Sequence, residues 1–219
     1  MVPAISWGDP FCLHYWFMIY LLCYLKRLHE KLYVSSDVRS DHAADFLKST
    51  TGIDIICNAI TALIAPQQYD VGLAAIQHLK DGVHLHNTHP NIEHWISVWS
   101  GFAMIVNRET YVHRDVGAAP MDYDLLFSSG THEQCMLDIR ELGSRLSYLP
   151  GTVVGIAGKV LRHGVHTWDG GERICHARFM KDAVHDRLGQ QRPDWVCHKN
   201  YLDLLTWKFL VSYHLHLYI

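Results

Sequence analysis

Residues 149–180 read LPGTVVGIAGKVLRHGVHTWDGGERICHARFM, and the pattern of this stretch predicts the fold. It contains three short runs rich in β-branched and aromatic residues, separated by turns that contain glycine or proline. We expect strands at Thr152–Ala157, Lys159–His166 and Arg173–Met180. Many short strands with regular turn signals are typical of a sandwich or a barrel, the jelly roll included.

The chain upstream of this stretch divides into a helical part and a second group of strands. Further strands are predicted at Trp95–Asn107, Asp124–Ser129 and Cys135–Ile139. Residues 41–80 carry apolar side chains at helical spacing, with a stop at Pro66 and a second helix predicted at Tyr69–Lys80. Residues 181–206 read as a helical or irregular tail.

The composition is that of an ordered domain with an excess of histidine. Of the 219 residues, 49% are hydrophobic and 11% aromatic, which excludes wholesale disorder. The net charge of −3 excludes a protein that holds nucleic acid by bulk charge alone. The 17 histidines suggest a metal site. The six cysteines form no CxxC pair, which argues against a structural zinc site.

Both ends of the chain are apolar and carry no interpretable motif. The run FCLHYWFMIYLLCYL at Phe11–Leu25 is 15 residues long, shorter than the ~20 residues that span a bilayer. We therefore expect a helix packed on the domain and no stable membrane association. Residues 207–219, WKFLVSYHLHLYI, are apolar to the last position.

A His-x-Asp triplet, His113-Arg114-Asp115, follows a predicted strand. In an extended chain residues i and i+2 point to the same side, so the imidazole of His113 and the carboxylate of Asp115 can converge on one metal ion. Two imidazoles and one carboxylate are the ligands of non-haem Fe(II) oxygenases, which keep coordination positions open. The triplet alone is weak evidence, because roughly one is expected by chance at this histidine content.

The missing imidazole and a cosubstrate residue are available downstream. His163 and His166 both lie in the predicted strand Lys159–His166, and the spacing favours His163 as the third ligand. Arg173 follows His163 by ten residues and opens the next strand. A guanidinium group there can bind the distal carboxylate of 2-oxoglutarate through two hydrogen bonds.

Two blocks of sequence resemble a known family. NRETYVHRDVGAAPMDYDLLFSSGTHEQC (107–135) and LSYLPGTVVGIAGKVLRHGVHTWDGGERICHARFMKDAVHDRLG (146–189) are similar to the TET/JBP family of 2-oxoglutarate- and Fe(II)-dependent DNA-base dioxygenases. Within it they look closest to the expanded group of mushroom-forming fungi. The resemblance covers about residues 95–200, and its separated blocks occur in the family's order.

The resemblance implies a fold and a set of site residues. The fold is α+β, with a double-stranded β-helix (jelly-roll, cupin-like) core at about residues 95–185 and N-terminal helices packed on it. His113, Asp115 and His163 match the catalytic iron ligands, and Arg173 matches the arginine that binds 2-oxoglutarate. Arg108 matches a basic position near the cosubstrate.

The resemblance also implies a reaction and a partner. Fe(II), 2-oxoglutarate and O2 would oxidise the methyl group of a methylated base in DNA, 5-methylcytosine first and N6-methyladenine second. The base has to be flipped out of the duplex. Ten Lys/Arg against seven Asp/Glu between Asp138 and Lys199 are compatible with a DNA groove. We expect a nuclear monomer that takes part in DNA demethylation.

Several departures from the family pattern keep alternatives open. Ala118-Ala119 occupies the stretch where the family has a base-reading acidic residue. Asn107 and the Tyr123-Asp124 pair are motif positions without an assigned role. Residues 1–40 and 207–219 are atypical segments around a dioxygenase domain at 41–206. The alternatives are an inactive or truncated relative from a mobile element, and an oxygenase of the same class that acts on RNA or protein.

Overall fold

The computed structural model describes residues 15–20, 22–23, 32–82, 88–197 and 201–203. The helices of this part are α1 (Ala43–Ser49), α2 (Thr51–Ile64), α3 (Pro66–Lys80) and α4 (Asp182–Arg187). The strands in chain order are β1 (Tyr15–Tyr20), β2 (Leu22–Cys23), β3 (Tyr33–Val34), β4 (Gly101–Val106), β5 (Thr110–His113), β6 (Asp124–Gly130), β7 (Gln134–Ile139), β8 (Ser144–Ser147), β9 (Val153–Ile156), β10 (His163–Val165), β11 (Trp168–Asp169) and β12 (Arg173–Phe179).

The strands form two main antiparallel sheets. The major sheet has the order β1-β4-β12-β6-β9, so β12 lies at its centre. The minor sheet has the order β11-β7-β10-β5. An additional strand outside this order, β8, also pairs with β7. One buried cluster contains side chains from both sheets, among them Leu126 of β6, Leu137 of β7 and Val165 of β10. The predicted α+β fold with a jelly-roll core is therefore confirmed.

The helices cover the other side of the major sheet. Cys57 of α2 packs with Trp99, Leu125 and Met180 in a second buried cluster. A buried ion pair also ties α2 to the sheet, because Arg178 Nε of β12 donates to Asp54 Oδ1 at 2.6 Å. The Arg178 guanidinium lies 3.9 Å from the centroid of the Phe102 ring, which adds a cation–π contact.

The apolar N-terminal run is a strand where the structure describes it, so the prediction of a helix there was wrong. β1 pairs antiparallel with β4, with Tyr15 opposite Val106 and Tyr20 opposite Gly101. The sequence of β1, YWFMIY, is dominated by aromatic residues that suit a pleated surface. Periodicity does not distinguish a short apolar strand from a buried helix. The tail at 207–219 lies outside the described residues.

The other helices and strands lie where the sequence predicts them, but some begin or end at different residues. β4 begins at Gly101 rather than at Trp95, and β10 covers only three residues of the predicted Lys159–His166. α3 begins at Pro66, since proline suits the first turn of a helix as well as the end of the preceding one. The short strands β3, β5, β8 and β11 were missed, because two to four residues carry too weak a pattern.

No single described helix is both long and apolar enough to cross a bilayer. α1 and α2 satisfy that test only when taken together, and they are bent by 55° at the break between them.

Because of the buried residue His176 in β12, we expect the free energy of unfolding to fall in mild acid. His176 lies between the rings of Phe102 and Phe127, and burial followed by the charge of Arg178 lowers its pKa from 6.5 to about 4. The unfolded chain therefore binds this proton at a higher pH than the folded chain does. The stability that comes from the neutral imidazole is complete above pH 6.5 and is lost as the pH falls toward 4.

The variant His176→Phe removes the titrating group and its hydrogen bond with Ser129 Oγ, and it keeps a ring beside Phe102 and Phe127. Urea midpoints measured between pH 7 and pH 4.5 should fall less steeply for His176→Phe than for the unchanged protein. The comparison cancels the contribution of the carboxyl groups that both proteins share. Equal slopes would show that His176 is not the proton acceptor.

Candidate metal centre

Two neighbouring strands bring the three predicted metal ligands together. His113 ends β5 and His163 begins β10, and the antiparallel register places these two residues directly opposite each other. Asp115 follows β5 by two residues, and its backbone N–H donates to the carbonyl oxygen of Gly158 at 2.9 Å. That hydrogen bond holds the turn after β5 against the segment that leads into β10.

The donor atoms are close enough to share one ion. Asp115 Oδ1 lies 3.4 Å from His113 Nε2, and Asp115 Oδ2 lies 3.5 Å from His163 Nε2. The candidate ligand atoms of the three residues all lie within 4.8 Å of one another. The side chain of His163 is 5% exposed, whereas those of His113 and Asp115 are 41% and 35% exposed. The group could therefore hold a metal ion that is open to solvent on one side.

Backbone carbonyl groups orient the imidazoles of His113 and His163 for metal binding. His113 Nδ1 lies 2.8 Å from the carbonyl oxygen of Tyr111, and His163 Nδ1 lies 3.1 Å from that of Leu161. A carbonyl oxygen only accepts hydrogen bonds, so Nδ1 carries the proton in each ring. The lone pair then sits on Nε2, the atom that faces Asp115, and this is the tautomer that a metal needs.

The charge states of Asp115 and His163 suit a cation. Burial alone would raise the pKa of Asp115, but the neighbouring imidazoles of His113 and His163 outweigh burial and lower it. Burial lowers the pKa of His163, whereas the Asp115 carboxylate raises the pKa of His113, so a metal ion has to displace a proton that His113 binds more tightly than usual. The carboxylate is thus charged and the buried imidazole neutral at pH 7, as metal ligands must be.

The structure separates His163 from its competitor. His166 Nε2 lies 3.7 Å from Asp138 Oδ2, and Asp138 also accepts a hydrogen bond from Arg145 Nε at 2.6 Å. His166 is not part of the group of donors around Asp115. A change of one residue along a strand reverses the side to which a side chain points, and the bulge after His163 alters the register again.

A second carboxyl group lies beside the site, and sequence reasoning assigned it no role. Asp124, at the start of β6, is 2% exposed. Burial and then the neighbouring Asp115 carboxylate raise the pKa of Asp124 well above its usual value. A Cβ atom at Gly158 would overlap the carboxylates of both Asp115 and Asp124, so this position has room only for glycine. No spacing rule in the sequence would have placed Asp124 here.

Arg173 lies buried at the start of β12, with its charge enclosed by aromatic rings. Its guanidinium carbon is 5.9 Å from the centroid of Tyr148 and 5.8 Å from that of Trp168. Nη1 donates to the carbonyl oxygen of Arg108 at 2.9 Å, while Nε has no hydrogen-bond partner among the described residues. A buried guanidinium with an unused donor suits an anionic ligand such as a carboxylate. The Arg108 side chain is exposed, and its contact with Arg173 is through the backbone.

A carboxylate at the surface links the two ligand-bearing strands. Glu141 Oε1 accepts hydrogen bonds from Arg114 Nη2 and Arg162 Nε, both at 2.8 Å. Arg114 separates His113 from Asp115 in the chain, and Arg162 precedes His163. The hydrogen bonds from Arg162 lower the pKa of Glu141 to about 2. The ion pairs therefore join residues that neighbour all three ligands.

The donor set fits Fe(II). Two imidazole nitrogens and one carboxylate oxygen make up the facial triad of non-haem iron oxygenases. The carbonyl partners of both Nδ1 atoms supply the outer hydrogen bonds that such ligands need. Cys57, Cys135 and Cys175 are buried elsewhere, so none of these thiols competes for the metal.

Comparisons with known proteins agree with this site. Residues 16–182 match the Tet_JBP family, described as the oxygenase domain of the 2OGFeDO superfamily. The match begins inside the segment 1–40 that the sequence analysis set apart. No curated protein matches the chain's sequence.

Two solved structures are similar in fold. NgTET1 in complex with 5mC DNA gives a TM-score of 0.55 at 15% identity, over 86% of this chain and 67% of that chain. A Cupin 2 conserved barrel domain protein from Salinispora arenicola CNS-205 gives a TM-score of 0.29 at 18% identity, over 41% of this chain and 69% of that chain. The first likeness supports the fold alone, and the second is too low to support an argument.

The family match covers most of the chain and includes the three clustered ligands and Arg173. The chain therefore belongs to the Tet_JBP family of the 2OGFeDO superfamily, and it is a dioxygenase that uses Fe(II), 2-oxoglutarate and O2.

Proposed function

We propose that this dioxygenase oxidises the methyl group of a methylated base in DNA, with 5-methylcytosine as first substrate and N6-methyladenine as second. The observation that carries the proposal is the convergence of His113, Asp115 and His163 within 4.8 Å in a chain of the Tet_JBP family. The expected fungal group within that family, the nuclear location, the monomeric state and a part in DNA demethylation are proposals from the resemblance.

Each site residue has a defined task. His113 Nε2, His163 Nε2 and an Asp115 oxygen would hold the iron, and the exposed edges of His113 and Asp115 would leave room for cosubstrate and oxygen. Arg173 binds the distal carboxylate of 2-oxoglutarate through its buried guanidinium, with Arg108 beside it. When bound, the iron would supply the oxidising chemistry: O2 and 2-oxoglutarate would give succinate and CO2, with one oxygen atom going into succinate and the other into a methyl C–H bond of the base.

The DNA substrate is supported by the family and by the position of the site. The methyl group of a base stacked in a duplex cannot reach a site that lies between β5 and β10. The base therefore has to leave the duplex. That NgTET1 was solved in complex with 5mC DNA supports DNA as the partner. Ala118 and Ala119 are buried and carry no acidic group, so neither can take the place of the base-reading acidic residue expected in this stretch. Base selection must therefore use other residues.

One incubation tests the proposal. The purified protein receives Fe(II), 2-oxoglutarate, ascorbate and matched duplexes that carry 5-methylcytosine, N6-methyladenine or no methyl group. Mass spectrometry then measures succinate and oxidised nucleosides. Oxidised base with an equal amount of succinate supports the proposal. Succinate without oxidised base keeps the oxygenase and points to RNA or protein as the substrate. Neither product from folded, iron-loaded protein indicates an inactive relative.

Loss of the carboxylate ligand should abolish turnover without unfolding the chain. We expect Asp115→Ala to lower succinate formation by at least about a hundredfold, because the ligand set loses its only negative charge. Circular dichroism should remain unchanged, since Asp115 is one-third exposed. Asp45→Ala removes an exposed carboxylate from α1 and is the matched control. Turnover retained in Asp115→Ala would contradict the ligand assignment.

The two candidate distal ligands are separated by a metal-dependent thermal shift. The addition of Mn(II) or Co(II) should raise the Tm of the unchanged protein and of His166→Ala, because His166 pairs with Asp138 instead of the metal. His163→Ala should lose most of this rise. The reverse pattern would assign the ligand to His166.

Removal of the buried guanidinium should act on the cosubstrate. We expect Arg173→Ala to raise the KM for 2-oxoglutarate by roughly thirtyfold or more, since a hydrogen bond to a charged group contributes about 2 kcal/mol. Arg145→Ala, at a side chain that is 68% exposed, should leave this KM unchanged. An unaltered KM in Arg173→Ala would remove Arg173 from the cosubstrate site.

A further inference from the structure

We propose that Asn107 is a positioning residue that holds Arg173 ready for the carboxylate of 2-oxoglutarate. The inference rests on the proposed role of Arg173 and concerns a motif residue that had no assigned role. Asn107 immediately follows β4, and it is 6% exposed.

The backbone of Asn107 adopts a conformation that most residues avoid. Its φ is +48°, and no other described residue besides glycine has a positive φ. Asparagine tolerates the left-handed region better than most side chains do, but the conformation persists only where surrounding contacts impose it. The contacts of Asn107 with Arg173 are of the kind that hold a residue in this conformation.

Three hydrogen bonds tie this turn to Arg173. Asn107 Oδ1 accepts from the backbone N–H of Arg173 at 2.9 Å, and the backbone N–H of Asn107 donates to the carbonyl oxygen of Arg173 at 2.8 Å. The next residue, Arg108, accepts from Arg173 Nη1 through its carbonyl oxygen at 2.9 Å. The turn thus contacts Arg173 at both ends of its long side chain, the backbone and the guanidinium.

These contacts restrict the rotamers of the Arg173 side chain before the ligand binds. Less conformational entropy is then lost on binding. A free arginine side chain has many rotamers, and each immobilised side chain of this kind weakens binding. Here the guanidinium already lies beside the rings of Tyr148 and Trp168, with Nε unused among the described residues. The structure therefore assigns to Asn107 the preorganisation of the carboxylate site.

The other end of the same strand pair provides a matched control. Ser100 precedes β4, is 3% exposed, and accepts a hydrogen bond through Oγ from the backbone N–H of Lys181 at 2.7 Å. Asn107 and Ser100, which flank β4, thus both accept through a side-chain oxygen from a backbone N–H at an end of β12 or just beyond it. Only Asn107 contacts Arg173, so a purely structural role would affect both variants alike.

The test measures ligand binding rather than turnover. The full chain is loaded with Mn(II), and isothermal titration gives the Kd for 2-oxoglutarate and, separately, for Mn(II). Asn107→Gly keeps the left-handed backbone and removes only the side-chain acceptor. It should weaken 2-oxoglutarate binding about tenfold and leave Mn(II) binding unchanged. Ser100→Ala should leave the Kd for 2-oxoglutarate unchanged even where it lowers the Tm equally.

A second variant keeps the test decisive if Asn107→Gly does not fold. Asn107→Asp retains an oxygen acceptor and a side chain that tolerates positive φ, so its affinity for 2-oxoglutarate should lie near that of the unchanged protein. Asn107→Gly with unaltered affinity, Asn107→Asp with affinity as low as that of Arg173→Ala, or equal weakening in Ser100→Ala would each overturn the inference. If Arg173→Ala itself binds 2-oxoglutarate normally, the fault lies in the proposed role of Arg173.

Discussion

The pairing of β10 with β5 is the contact on which the metal centre depends. It places His163 opposite His113, and a slip of one residue would turn one imidazole away from Asp115. The close approach of the two strands requires glycine next to His163, because a Cβ at Gly164 would lie 2.6 Å from the carbonyl oxygen of Thr110. The ion pairs of Glu141 with Arg114 and Arg162 join the same two strands at the surface.

The residues of the candidate site come from both sheets of the jelly roll. The candidate metal ligands belong to the minor sheet and the turn beside it, whereas Arg173 lies on the central strand of the major sheet. β12 is paired along both edges and is tied to α2 through the buried Arg178–Asp54 ion pair. A strand paired and packed in this way holds Arg173 at a set position, which suits the proposed contact with a carboxylate.

Sequence reasoning succeeded where a local pattern carries the information. The short strands around glycine and proline turns, and the pair of ligands in His113-Arg114-Asp115, follow from the period of two in extended chains. It failed at β1, because a short apolar run fits a helix and a strand equally well, and only the pairing with β4 decides between them. It also left Asn107 and Asp124 without roles, since the contact of Asn107 with Arg173 and the burial of Asp124 beside Asp115 arise only in the folded chain.

The sequence by itself determined the residue types of the candidate metal centre and the pattern of short strands separated by turns. It also determined the resemblance to a family of dioxygenases. It also restricted the third ligand to a short segment that contains His163 and His166. Only the tertiary structure decided between them, because strand register and the bulge after His163 determine which imidazole faces Asp115. The same holds for Arg173: its charge is written in the sequence, but its burial between Tyr148 and Trp168 and its contacts with residues 107–108 arise only when distant strands pack together.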